Sequence, residues 1–242
     1  MAEDEIIKKH TKAVYTTMTD PNKKWFHKLK DVLLEVLIIV FAVSVSIWFH
    51  GWAEDRKDQK AEQEFFAGLK EDVKADVLEM MNDRATFQQL LQHAGYFAKM
   101  ARGMVPNKDS VASYQWIFFT AAQINPRISR FEALKGSGKL DIIEDKKVLI
   151  NIIDLYQKTF PNIFRTNQAF NSLTTDHIDP YIADVLKMDS TGQFTNVAEI
   201  LHTSKMQLWL NQLGTSADNC IKAYTSGINK SNEILNQIGS GQ

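Results

Sequence analysis

From Val32 to Phe49 the chain runs eighteen residues with a single charge, Glu35. As a helix this run rises about 27 Å, close to the ~30 Å thickness of bilayer hydrocarbon. A helix satisfies its own backbone hydrogen bonds, which lipid cannot do. The expectation is one transmembrane helix over residues 31–52. Trp48 and Trp52 stand at one end of it, and Trp25 and Phe26 precede the other. These tryptophans suit the two membrane interfaces, because indole is apolar with a polar tip. Roughly thirty mostly polar residues come before the run, and no small-residue cleavage site follows it, which argues against a cleaved signal peptide.

Lysine placement gives the direction. Lys23, Lys24, Lys28 and Lys30 crowd the N-terminal flank, whereas Arg56, Lys57 and Lys60 are mixed with Glu54, Asp55 and Asp58. The positive-inside rule then places residues 1–30 in the cytoplasm as a short tail broken at Asp20-Pro21-Asn22. Residues 53–242 are expected in the periplasm of a bacterial inner-membrane protein. Within the span, Ala42 and Ser46 form a small-xxx-small pair, a pattern for helix–helix contact. Glu35 lies one turn inside the cytoplasmic boundary. An ionisable group there costs about 2–3 kcal/mol unless it reaches the interface or finds a partner. Three readings stand: snorkelling, a polar contact with another membrane subunit, or a proton-carrying site.

The rest reads as helix. Only 11 Gly and 5 Pro interrupt 242 residues. Residues 53–65 are nearly all polar, as a stalk would be. From Phe66 a seam of about 3.5-residue spacing runs through Leu69, Val73, Val77, Met80, Phe87, Leu91, Ala94, Ala98 and Ala101, with Arg84 at one position. Val105-Pro-Asn-Lys-Asp109 is a loop and Ser110 an N-cap, ahead of an apolar, centrally buried helix over 111–119. A further helix covers about 128–135. Another begins at Asp145; Pro161 punctuates it, a helix resumes through Phe164, Phe170 and Leu173, and Asp179-Pro180 starts a short helix to Leu186. The last long helix starts at Thr203 or Ser204. Its seam is Met206, Trp209, Leu213, Ala217, Cys220, Tyr224, Ile228, Leu235 and Ile238. Two long heptad-like helices at opposite ends of a domain pack most simply antiparallel. The fold expected is all-α: one transmembrane helix continuing into a stalk helix and an extracytoplasmic antiparallel helical bundle.

No catalytic pattern emerges. The net charge of −1 excludes a basic nucleic-acid-binding surface over the whole chain. Six histidines are scattered, with no pair at i, i+4 beside a glutamate. Asp176, His177 and Asp179 read as a polar helix end rather than a metal site. Gly136-Ser-Gly-Lys139 lacks the earlier glycine and the following Ser or Thr of a phosphate loop: Ala133 and Leu140 stand there. Cys220, the one cysteine, excludes an intrachain disulfide and sits on an apolar seam, so it reads as a buried thiol. No cofactor or metal is expected, and no enzymatic activity.

Glu35-Val-Leu-Ile-Ile-Val, the terminal Trp48 and Trp52, Glu54-Asp55-Arg56-Lys57, and Phe131-Glu-Ala-Leu-Lys-Gly-Ser-Gly-Lys-Leu-Asp-Ile-Ile143 followed by Leu155-Tyr156 together carry a resemblance over about residues 25–160. The chain resembles an uncharacterised family, labelled a domain of unknown function, of single-span envelope proteins common in Bacteroidota. Its N-terminal tail is longer than the family's, and its last third matches only in general character. The resemblance implies an inner-membrane, periplasm-facing helical protein and implies no site.

The function expected is that of a membrane-anchored scaffold or interaction protein. Its partners would be the lipid bilayer, copies of itself in a homo-oligomer, or another inner-membrane protein, and not nucleic acid. Two alternatives stand beside it. One is the single-span subunit of a proton-driven, stator-like complex using Glu35, although such subunits usually end in an α/β domain. The other is a periplasmic sensor module that signals through a separate partner.

Overall fold

In the computed structural model, residues 8, 9, 12, 15, 25–105, 107–190, 192 and 194–240 are described. Helix α1 runs from Trp25 to Met100, 76 residues in one element. No proline interrupts this stretch. It ends where Gly103 takes φ +102°, a left-handed conformation that suits glycine, and Met104 N–H bonds back to the Lys99 carbonyl at 3.1 Å.

The chain divides into two compact units, residues 1–62 and 63–242. In the first unit, α1 exposes its apolar side chains: Leu33 is 59% exposed, Leu37 68%, Phe41 67% and Ile47 69%. The most apolar eighteen-residue window of the helix has none of its residues covered by protein. One helix, long and apolar enough to cross a membrane, is therefore present near the N-terminus.

The second unit buries its side chains at Phe65, and from Leu69 the buried row of α1 alternates steps of four and three. It passes through Leu69, Val73, Asp76, Met80, Phe87, Leu90, Ala94, Phe97 and Ala101. Asp83 fills the remaining position and is half-buried. The heptad period expected from the sequence holds, but alternate positions fall one residue earlier. Phe66, Val77, Leu91 and Ala98 are only half-buried, and Arg84 yields its place to Asp83.

Short elements follow α1. Helix α2 spans Lys108–Tyr114 and tightens into a 3-10 turn over Gln115–Phe118. Its N-cap is Asn107 rather than Ser110: the Asn107 amide oxygen accepts from the N–H of Asp109 at 2.9 Å and of Ser110 at 3.2 Å. The expected buried helix over 111–119 is thus shorter, with Ile117 and Phe118 buried and Phe119 51% exposed. Helix α3, Ser129–Gly136, ends at a glycine turn in which Gly138 has φ +71°. A 3-10 turn, Leu140–Ile142, leads to α4, Lys146–Asp154. Asp145 caps α4, as expected, by accepting from Lys147 N–H at 2.8 Å.

The two prolines do not break the helices. α4 passes through a π turn, Leu155–Thr159, into α5, Phe160–Leu173, and a second π turn, Thr174–Ile178, leads into α6, Asp179–Val185. In the first turn Phe160 N–H reaches the Leu155 carbonyl, and in the second Asp179 N–H reaches that of Thr174. Pro161 and Pro180 come next in each case. A proline has no N–H, and its ring clashes with the carbonyl four residues back. A turn widened by one residue relieves that clash and keeps the helix going.

After an isolated antiparallel bridge between Met188 and Phe194 come α7, Val197–Leu201, and α8, Ser204–Ser240. α8 packs along α5 and α4. It also meets α1: a Cβ on Gly227 would touch Met80, Tyr224 stacks near Phe87 with ring centroids 5.9 Å apart, and Gly214 faces Leu91. As numbers rise along α1 they fall along α8. The α8 seam is as expected, except that Ile234 is buried where Leu235 was expected and Ser231 joins it.

Candidate functional site

The residues expected to act in the span share one side of α1. At 100° per residue, Glu35, Ala42 and Ser46 fall within about 40° of one another. Glu35 and Ser46 are half-buried and Ala42 is exposed. Trp48 is 65% exposed and Trp52 45%. Phe49 lies edge-on to both, with centroids at 5.3 and 6.2 Å, and the Arg56 guanidinium sits 4.4 Å over the Trp52 ring. This end thus carries a belt of aromatic rings closed by a cation, which suits a boundary between lipid and water. The Trp25 side chain lies outside the described residues.

The second unit holds a polar arrangement that the sequence reading missed, built on the two aspartates of the α1 seam. Asp76 is 2% exposed. Its carboxylate accepts the backbone N–H of Arg127 at 3.2 Å and the Arg127 guanidinium at 2.8 Å. Glu79, one turn on, accepts Asn125 N–H at 3.2 Å and approaches the same guanidinium at 3.6 Å. One turn before, Asp72 accepts from Arg130 Nε at 2.9 Å. Three acids on successive turns therefore hold residues 125–130, a stretch with few backbone partners of its own. Burial pushes the Asp76 carboxyl above the usual carboxylate range, against the lowering pull of Arg127. The Arg127 pKa is raised as well, its charge favoured by its hydrogen bond to Asp76. The two agree physically: the Arg127 side chain is 47% exposed and keeps its water, whereas that of Asp76 is 1% exposed.

Asp83 sits one heptad further. Its carboxyl is also pushed up by burial, eased by the Tyr224 hydroxyl nearby. The Tyr224 hydroxyl accepts from Asn167 Nδ2 at 2.8 Å. Tyr224 is 0% exposed and Asn167 2%. α8 and α5 are thus tied in the core by a hydrogen bond between two buried polar side chains, with Asp83 of α1 beside it. Asp83 Oδ2, Asn167 Oδ1 and, elsewhere on α8, Ser231 Oγ have no hydrogen-bond partner. A 3–4 count continued from Leu69 would have found both aspartates, had apolar character not been required of every seam position.

Other polar features have local explanations. The His93 ring stacks on Tyr114 at 3.9 Å and meets Trp116 edge-on, and burial lowers its pKa. Cys220 is buried, with its thiol pushed up to about 12, which keeps it protonated. Asp176 and His177 belong to the second π turn, inside a continuing helical run rather than at its end. An open cleft of about 410 Å³ lies between Met100, Lys108, Gln115, Phe194 and Val197. Asp76, Asp83 and Tyr224 do not line it. Among the described residues no group of three or more His, Cys, Asp or Glu is placed to hold a metal. No family model, curated protein or solved structure matches the chain.

Proposed function

We propose that this chain is a membrane-anchored helical scaffold of the bacterial inner membrane, of the kind its resemblance to the envelope family implies. In this reading α1 crosses the bilayer between residues 31 and 52. Residues 1–30 lie in the cytoplasm and 53–242 in the periplasm, where the second unit forms an antiparallel bundle that binds protein. One observation carries the proposal: an eighteen-residue apolar window of α1 with no protein over it. Side chains such as Leu37, Phe41 and Ile47 would leave a large contiguous apolar surface in water, which soluble monomers rarely tolerate. The acids that clamp residues 125–130, and the Asp83–Tyr224–Asn167 cluster, support a structural role, since each is spent inside the domain. Membranes washed with alkaline carbonate test the anchor, and protease added to intact and to opened spheroplasts tests the direction. The chain should pellet, and residues 63–242 should be cleaved from the outer side. A chain extracted by carbonate, or one protected until the inner membrane is opened, would overturn the reading.

A further inference from the structure

The ammonium of Lys205 sits against two aromatic rings. Its Nζ lies 4.7 Å from the centroid of Trp209, one turn on in α8, and 4.8 Å from that of Tyr181 in α6. The two rings meet edge-on, 73° apart with centroids at 5.2 Å, and so form two walls of a corner. Both walls are held by the domain. Trp209 is 8% exposed, and the Tyr181 hydroxyl is hydrogen-bonded with Thr203 Oγ1 at 3.3 Å. The His177 ring lies nearly parallel to that of Trp209, with centroids 6.4 Å apart. Lys205 itself is exposed.

The lysine is a poor occupant of this corner. Lys135, Lys158, Lys222 and Lys230 each reach a carboxylate on their own helix within about one turn, whereas Lys205 makes no ion pair among the described residues. It stands in the first turn of α8, a 37-residue helix, where the helix dipole opposes a cation. A primary ammonium is also strongly hydrated and gives up its water reluctantly. Only the two ring faces hold it there.

We propose that the Tyr181–Trp209 corner is a binding site for a ligand bearing a trimethylammonium group, and that Lys205 is its displaceable resident. The occupant already present shows the charge the corner takes. A trimethylammonium carries that charge on a weakly hydrated, apolar surface, and aromatic faces are what recognise it. Its methyl groups pack on both rings, while the Lys205 ammonium returns to water and gives up only its two ring contacts. All of these residues lie in the second unit, so the inference is independent of the membrane anchoring proposed above.

Saturation-transfer NMR on the methyl protons of choline, with the full chain in maltoside detergent, tests this. Lys205→Ala empties the corner and should bind choline about tenfold more tightly than wild type, since a tethered competitor acts at roughly millimolar effective concentration. In the Lys205→Ala background, Tyr181→Leu should weaken choline about tenfold and Tyr181→Phe should leave it unchanged, because the cation meets the ring and not the hydroxyl. Choline should also bind more tightly than ethanolamine, whose ammonium is better hydrated, and than tert-butanol, which has a similar shape without the charge. No choline signal with Lys205→Ala, affinity there no higher than in wild type, equal binding of tert-butanol, or equal affinity of the Phe and Leu variants at 181 would each overturn the proposal. Reconstitution into nanodiscs identifies the source of the group. Choline binding that is equal in phosphatidylglycerol and phosphatidylcholine discs supports a free ligand, and binding weakened in phosphatidylcholine discs supports a lipid headgroup in the same corner.

Discussion

Replacing Tyr224 by Phe removes one oxygen from the centre of the domain, and its cost can be worked from what that oxygen touches. Asn167 Nδ2 donates to it at 2.8 Å, and Asn167 is 2% exposed, so its amide would be orphaned. An unmet buried polar group costs about 1–3 kcal/mol. Asp83 loses the favourable neighbourhood of that hydroxyl too. A bond to a charged group contributes about 1.5–3 kcal/mol, but Asp83 is half-buried and water can replace part of it, so about 1 kcal/mol is the fair share. The ring is unchanged and keeps its packing on Phe87. The sum is about 2–4 kcal/mol, and at about 2–4 °C per kcal/mol for a unit of this size the melting temperature should fall roughly 5–12 °C. Thermal melts of the full chain in detergent, followed by far-UV circular dichroism, read this directly. The penalty should also shrink on acidification. Losing the Tyr224 hydroxyl raises the folded pKa of Asp83 further, and a raised folded pKa gives stability that is present below the unfolded value and lost as pH rises through the folded one. Adding Asn167→Leu should recover part of the loss, since removing both partners leaves fewer orphans. A fall of under 2 °C, or a penalty that grows toward pH 4, would refute the account of this core.

Two further perturbations follow from the packing and charge of the same unit. A Cβ on Gly227 would lie 2.6 Å from Met80 Sδ and 2.8 Å from Ile163 Cδ1, both wholly buried, so Gly227→Ala should cost about 1–3 kcal/mol; Gly214→Ala meets only Leu91 at 3.6 Å and should gain up to about 1 kcal/mol of helix propensity, the two melts moving in opposite directions. Asp76, with its folded pKa raised by burial, contributes stability that is full below the unfolded value of 3.8 and lost as pH rises through the folded one. Asp76→Asn removes that dependence, so its melting temperature relative to wild type should be higher at pH 7 than at pH 4, and a difference of the opposite slope would refute the assignment.

How much of this was legible in the sequence depended on whether the deciding partner was local. The helical class, the apolar run at Val32–Phe49 and the helix start at Asp145 are set by near neighbours, and they read correctly. The period of the α1 seam read correctly as well, but its phase slipped at alternate positions. Val77 and Arg84 were preferred over Asp76 and Asp83, because an acid in a core needs a partner and none is nearby in the chain. The partners come from 51 residues away, at Arg127, and from α8, at Tyr224. Pro161 misled in the same way. It looks like a break, yet packing of α5 against α8 rewards a helix that continues, and one widened turn is the cheaper distortion, whereas Asp179-Pro180 does open α6 as expected. The Asn167–Tyr224 pair was invisible because asparagine in a helix interior is ordinarily a surface residue.

The two seam aspartates also explain why this all-helical unit settles into one register. Apolar heptads alone are tolerant: sliding α1 by one heptad along its neighbours would bring Leu69 to the level of Asp76, or Leu90 to that of Asp83, and still bury a leucine. The polar positions are not tolerant. Such a slide carries Asp83 away from Tyr224 and Asp76 away from the N–H and guanidinium of Arg127. Because the two aspartates lie one heptad apart, one of them takes the other's place and the second carboxylate is left buried without its partner, at a cost comparable with several methylene groups. Neither contact need add much to the stability of the correct register, since a well-packed apolar pair in its place would serve as well. What the pair of aspartates supplies is the energy gap to the shifted alternatives.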